Sequence, residues 1–163
     1  MKLYLMRHGL ATERGTFEED GDRPLTTVGC KKTQQVSKYL QNLGLKFDLI
    51  ITSPLVRAQQ TADIFYRQGL SGNLEVSPHL APGGELSHFL TFLSLHPQTK
   101  AIAVGHQPDL GAWAEMLLYG QEREVIVLKK AGIIGLQLPE IGDAIAHSQL
   151  FWLTSPKLLI PEI

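Results

Sequence analysis

Three short apolar runs constrain this chain more than any other feature. They are Leu3–Met6, Phe47–Thr52 (Phe-Asp-Leu-Ile-Ile-Thr) and Lys100–Gly105 (Lys-Ala-Ile-Ala-Val-Gly). Each is too short for a helix of ordinary length, and none is preceded by a helix-starting signal. That is how strands buried on both faces of a parallel sheet read. The second and third run straight into helical patterns. Leu55, Ala58, Ala62 and Phe65 recur at helical spacing after Ser53-Pro54, and Leu110, Trp113, Ala114, Leu117 and Leu118 do so after Pro108. Strands followed by amphipathic helices predict an α/β fold with a parallel sheet.

The rest of the chain fits around these units. A long polar loop covers residues 10–25, and its acidic group Glu18-Glu19-Asp20 is expected to face solvent. A helix should follow an N-cap at Thr26 or Thr27, with Val28, Val36, Tyr39, Leu40 and Leu43 on one face and Gly44 as the stop. Ser53 is the expected N-cap of the next helix, Pro54 its first residue, and Arg57 lies in its first turn, off the apolar stripe. Leu74–Ser77 reads as a short strand. Glu85 opens a helix carrying Leu86, Phe89, Leu90 and Leu93 toward the core. Beyond Glu124, strands are expected at Val125–Leu128, Gly132–Leu138 and Ser148–Leu153. With no repeat, low-complexity tract or linker, residues 1–163 read as one domain.

Composition removes several function classes. Lys plus Arg total 15 against 16 for Asp plus Glu, a formal charge of −1, which gives no support to a nucleic-acid or anionic-membrane binder. The single cysteine, Cys30, allows no intramolecular disulfide. Arg7 interrupts the N-terminal apolar run too early for a signal peptide, and no run approaches the ~20 apolar residues of a membrane span. A cytoplasmic location is the expectation.

In open α/β sheets, ligands bind just outside the carboxyl ends of the strands, and all such ends of a parallel sheet lie on one edge. Arg7 and His8, Arg57, and His106 each follow one of the three strands, so they should converge although the first and last are about a hundred positions apart. Taken singly, Arg57 reads by default as a solvated surface arginine, and His106 more often as a satisfied structural histidine than as a catalytic one. Together they make a pocket for a strongly anionic group, because guanidinium donors match phosphate or carboxylate oxygens. A neutral imidazole could attack phosphorus while the arginines and the second histidine hold its equatorial oxygens.

Four segments resemble the histidine phosphatase superfamily: Leu5-Met6-Arg7-His8-Gly9, Arg23-Pro24-Leu25-Thr26-Thr27-Val28-Gly29, Ser53 through Ala62, and Val104-Gly105-His106-Gln107-Pro108. The small size and the Arg-Pro-Leu-Thr segment are similar to the SixA branch, the protein phosphohistidine phosphatases. The resemblance implies a three-layer α/β/α sandwich with a largely parallel central sheet, as in phosphoglycerate mutase-like proteins. It implies His8 as the phosphate-accepting nucleophile, with Arg7, Arg57 and His106 forming the phosphate pocket. Arg23 sits where the SixA-like pattern has its own arginine. No cofactor and no metal are implied; His79, His88 and His96 lie at loose spacings without a ligand pattern.

The sequence departs from the larger branches at the general acid. Gln107 follows His106 where acid-phosphatase members carry an aspartate, and the segment between residues 66 and 100 is short. Glu85 is the carboxylate left as a possible general acid, alongside its ordinary role of complementing a helix dipole. Phosphate esters need a proton on their leaving oxygen, whereas an N-phosphorylated imidazole can already carry one. The expected function is therefore removal of phosphate from a phosphohistidine-bearing signalling or carrier protein, with phosphate or another oxyanion in the pocket. The alternatives are a phosphatase of a small phosphorylated metabolite and a non-catalytic phosphoprotein-binding module.

Overall fold

In the computed structural model, which describes residues 1–96 and 99–160, six strands form one sheet. They are β1 (Lys2–Arg7), β2 (Leu49–Thr52), β3 (Leu74–Val76), β4 (Lys100–Gly105), β5 (Ile133–Gln137) and β6 (Gln149–Thr154). The helices are α1 (Thr27–Asn42), α2 (Val56–Arg67), α3 (Leu86–Ser94), α4 (Asp109–Tyr119) and the short α5 (Pro156–Leu159). The order across the sheet is β3-β2-β4-β1-β5-β6. The first four in that order pair in parallel, β5 runs antiparallel to β1, and β6 antiparallel to β5.

Alternate residues of the central strands serve the two faces, which is why their sequences are apolar throughout. Leu3, Leu5, Leu49, Ile51, Ala101 and Ala103 meet Phe89 and Leu93 of α3 and Leu110, Trp113 and Leu117 of α4. Tyr4, Met6, Ile50, Ile102 and Val104 meet Val36 and Leu40 of α1, Ala58, Ala62 and Phe65 of α2, and Leu159 of α5. The layers are thus helices, sheet, helices, as expected. Among the described residues no helix is long and apolar enough to cross a membrane.

Four local expectations need correction. Strand β2 begins at Leu49 rather than Phe47, because the Asp48 carboxylate turns aside to accept hydrogen bonds from Thr99 N and Lys100 N, each at 2.8 Å. Ser53 does not cap α2, which starts at Val56 with Leu55 in the cap position. The buried stripe of α1 is Gly29, Thr33, Val36, Ser37 and Leu40, while Val28, Tyr39 and Leu43 face outward. Small residues lead this stripe because the first turn of α1 lies against the loop after β1. A Cβ at Gly29 would stand 2.0 Å from the Leu10 carbonyl oxygen. Thr26 caps the helix as expected, its hydroxyl accepting from Gly29 N at 2.9 Å.

The fourth correction concerns Val125–Leu128, which forms a loop and not a strand. Its backbone donors are claimed by side chains of α4 and the turn before it. The buried Glu115 carboxylate accepts from four successive amides: Arg123 N and Glu124 N on one oxygen, Val125 N and Ile126 N on the other. Gln107 then donates to Ile126 O at 3.1 Å and accepts from Leu128 N at 3.4 Å. Burial alone would raise the Glu115 pKa, but the four amides outweigh it and hold the carboxyl below its ordinary value.

Glu115→Ala leaves those amides without acceptors and should cost about 2–4 kcal/mol in urea unfolding at neutral pH. Because the folded-state pKa is depressed, the Glu115 contribution is complete above its unfolded value near 4.5 and disappears as pH falls through the folded value. The stability gap between wild type and variant should therefore shrink on acidification; a gap independent of pH would contradict the ionised cradle.

Candidate active site

Strand register builds the site. Arg7 is paired with Gly105 across β1 and β4, and His8 N donates to Gly105 O at 3.1 Å. His8 and His106 therefore leave the same sheet edge side by side, with ring centroids 5.2 Å apart. Strand β2 flanks β4 on its other side. Ser53 N donates to Val104 O at 2.9 Å, and Ser53 Oγ lies 2.7 Å from His106 Nε2. Two residues into α2, Arg57 is only 4% exposed, so it is not a solvated surface arginine.

The same edge receives the long loop after β1 and the loop before β5. Asp20 O accepts from Arg57 Nη1 at 2.7 Å, and the Asp20 carboxylate bridges Arg57 Nη2 at 2.9 Å and Arg23 Nε at 2.7 Å. Arg23 also donates to Thr12 O at 2.5 Å. Arg7 Nη1 donates to Leu128 O at 2.9 Å, which ties β1 to the loop organised by Glu115 and Gln107. Gly9 permits the close approach beneath His8: a Cβ there would lie 2.4 Å from Thr33 Oγ1, and its N–H donates to Thr61 Oγ1 at 3.0 Å.

The result is a cavity of about 540 Å³ whose lining includes Arg7, His8, Arg14, Arg23, Arg57, His106 and Lys130. The carboxylates on its wall are Glu13, Asp20 and Asp109. Positive charge exceeds negative in the pocket although the whole chain is nearly neutral. Three buried nitrogens there, Arg7 Nε, Arg57 Nε and His106 Nδ1, have no hydrogen-bond partner among the described residues. Buried polar atoms are seldom left so.

The His8 ring has one possible tautomer. Its Nδ1 is 2.7 Å from Gly9 O, and a carbonyl oxygen only accepts, so Nδ1 carries the proton. The lone pair of the neutral ring is then on Nε2. Burial pushes the His8 pKa down to about 3, with His106, Arg57 and Lys130 adding to the effect against the Gly9 bond. Burial likewise lowers His106 to about 4, aided by Arg57, Arg7 and Arg23 and opposed by Asp20. With pKa values so far below 7, both rings are neutral at that pH.

Comparison with known proteins now identifies the architecture. Residues 3–81 match the histidine phosphatase superfamily (branch 1). Phosphohistidine phosphatase SixA of Escherichia coli K12 is 27% identical over 92% of this chain and 93% of its own length. Over residues 3–81, and in its fold as a whole, the chain is similar to the histidine phosphatase superfamily. A solved structure of the protein histidine phosphatase SixA complexed with tungstate is similar with a TM-score of 0.83 at 26% identity, covering 98% of this chain and 100% of that one. An uncharacterized protein of Picosynechococcus is 49% identical over 99% of this chain and 100% of its length.

Within this histidine phosphatase fold, Arg7, His8, Arg57, His106 and Arg23 all line one pocket. Glu85 does not: its side chain is 70% exposed and lies 3.7 Å from His88 Nδ1. Asp20, expected to face solvent, is 53% exposed as a side chain, and its carboxylate also bridges two pocket arginines. The Arg23 hydrogen bond leads in holding its carboxyl below the usual range, with further help from Arg57. Lys130 is a second residue missed by sequence reasoning, since it precedes no expected helix. Its pKa is lowered by burial and then by Arg7, Arg23, Arg57 and Arg14. Among the described residues no group of three His, Cys, Asp or Glu could hold a metal ion.

The depressed histidines set a pH response. As pH falls from the unfolded value of 6.5 toward 4, the unfolded chain takes up protons that folded His8 and His106 refuse, so the ligand-free protein loses stability. Inorganic phosphate, by pairing with an imidazolium, should reverse part of this loss. Melting temperatures recorded across that range with and without phosphate check it; equal slopes in both series would count against an oxyanion beside the rings.

Proposed function

We propose that the chain is a phosphohistidine phosphatase acting on a phosphorylated histidine of another protein through a phospho-His8 intermediate. The observation that carries this reading is the Nδ1–H to Gly9 O bond, which leaves the His8 Nε2 lone pair in a pocket of cations. The SixA structure of similar fold was solved with tungstate, a tetrahedral oxyanion, which supports an oxyanion in this pocket as well.

In the first step His8 Nε2 attacks phosphorus while the P–N bond of the substrate breaks. The leaving imidazole carries the bonding pair away and departs neutral if its other nitrogen is protonated. Such a leaving group needs no strong acid from the enzyme. This matters because Asp20, the carboxylate hydrogen-bonded to Arg57 and Arg23, is held ionised and is a poor proton donor. In the second step water attacks phospho-His8, phosphate forms, and the electron pair returns to Nε2.

The remaining residues stabilise the transferring group. Burial lowers the Arg7 and Arg57 pKa values from so high a starting point that both remain cationic. Asp20 and the Leu128 carbonyl fix their guanidinium planes before substrate arrives, so little reorganisation is required during transfer. His106, once an oxyanion is adjacent, gains a proton and can donate from Nδ1 while Nε2 stays with Ser53. Arg23 and Lys130 add charge at the pocket wall.

Phosphate release from a phosphohistidine-bearing carrier protein should fall by more than about 10⁴-fold in His8→Ala, with loss of acid-labile phosphate label on the enzyme. Release unchanged by that substitution would remove His8 as nucleophile. Arg57→Ala should lower kcat by about 10²–10³-fold, as expected when a preorganised donor is deleted. Glu85→Gln should stay within about twofold of wild type, consistent with its exposed position. A large kcat loss there would restore it as the general acid. Faster turnover of sugar or glycerate phosphates than of the phosphoprotein would favour the metabolite phosphatase.

A further inference from the structure

Beside the catalytic cavity lies a second, smaller slot of about 340 Å³, of whose charged lining the proposed chemistry uses Lys130 alone. Its floor is apolar and its rim is basic. Leu10, Gly29, Ala131 and Pro156 contribute carbon surface, and Lys32, Lys129, Lys130 and Lys157 surround it. Four of the nine lysines in the chain are therefore gathered around one opening. Among the described residues no carboxylate lies in its lining, in a chain whose acidic residues outnumber its basic ones. None of the four lysines takes part in an ion pair among the described residues.

Concentrating like charges costs free energy through mutual repulsion, which an incoming anion relieves. The lysine stems add apolar wall while their ammonium groups stay at the rim. The slot thus suits an apolar side chain flanked by carboxylates. It also adjoins the active site, because Leu10 and Lys130 line both cavities. Leu10 follows the His8-Gly9 turn directly, so a segment in the slot would belong to the molecule presenting its phosphate to His8.

We infer that this lysine-rimmed slot is a docking site for an acidic–apolar segment of the phosphorylated protein substrate, next to its phosphohistidine. This rests on the phosphohistidine reading and adds the feature by which a protein substrate is selected. Docking through rim charges acts on encounter and KM, is screened by salt, and leaves the chemical step alone.

The test uses two series of phosphohistidine peptides, identical except that one carries Glu-Leu-Glu and the other Gln-Leu-Gln at successive offsets from the phosphohistidine. Phosphohistidine as the free amino acid serves as the small donor. For at least one offset, the wild type should show a KM at least about tenfold lower for the acidic peptide than for the neutral one, and added salt should erase the difference. The double variant Lys32→Glu/Lys157→Glu should lose that preference, with kcat kept and the small-donor rate unchanged. The small-donor rate also reports that the variant is folded.

Equal KM values for the two series in the wild type, or a preference that survives in the double variant, would overturn the docking slot and leave the phosphohistidine reading intact. Hydrolysis of simple phosphate esters with no turnover of any phosphohistidine donor would overturn that reading, and the slot with it.

Discussion

Everything at the active edge depends on the parallel pairing of β1 with β4. With Arg7 opposite Gly105, the next residue of each strand is a histidine, and the His8 N–H to Gly105 O bond extends the ladder one step past the sheet. A shift of one residue would turn one ring to the opposite face, since side chains alternate along a strand. Apolar burial on both faces protects the register. Leu3 and Leu5 face one helical layer and Tyr4 and Met6 the other, so a slip would repack both cores.

Once the histidines are adjacent, electrostatics decides their state. They are buried among cations, and burial dominates both depressed pKa values. Neutral His8 in a single tautomer has the state a nucleophile needs, whereas His106 is placed to gain a proton when an anion enters. The arginines alone would repel one another; Asp20 lies between Arg23 and Arg57 and offsets part of that repulsion. Its depressed pKa and the fixed arginines are two consequences of one interaction.

The Glu115 loop shows how a structural element far from the chemistry can shape it. Four backbone amides converge on one buried carboxylate, and the following carbonyl, Leu128 O, orients Arg7. The run Val-Ile-Val-Leu has every local property of a strand. It fails to become one because its hydrogen-bonding groups meet side chains before they can meet a neighbouring strand. Propensity is a local quantity, and competition for N–H groups is not.

Apolar periodicity by itself determined the three central strands, the main helices between them and the sheet edge on which Arg7, His8, Arg57 and His106 must emerge. Those features follow from local pattern and from the geometry of parallel sheets, which any reader of the residues can apply. Only the tertiary structure decided that the half-exposed Asp20 pairs with Arg23 and Arg57 and that Lys130 joins the pocket. It alone placed Glu85 outside the cavity, made Ser53 a partner of His106, and rotated the buried stripe of α1 to Gly29 and Thr33. Each of these depends on where a loop crosses the sheet edge or how closely two backbones approach. Such contacts join residues distant in sequence, so no spacing along the chain encodes them.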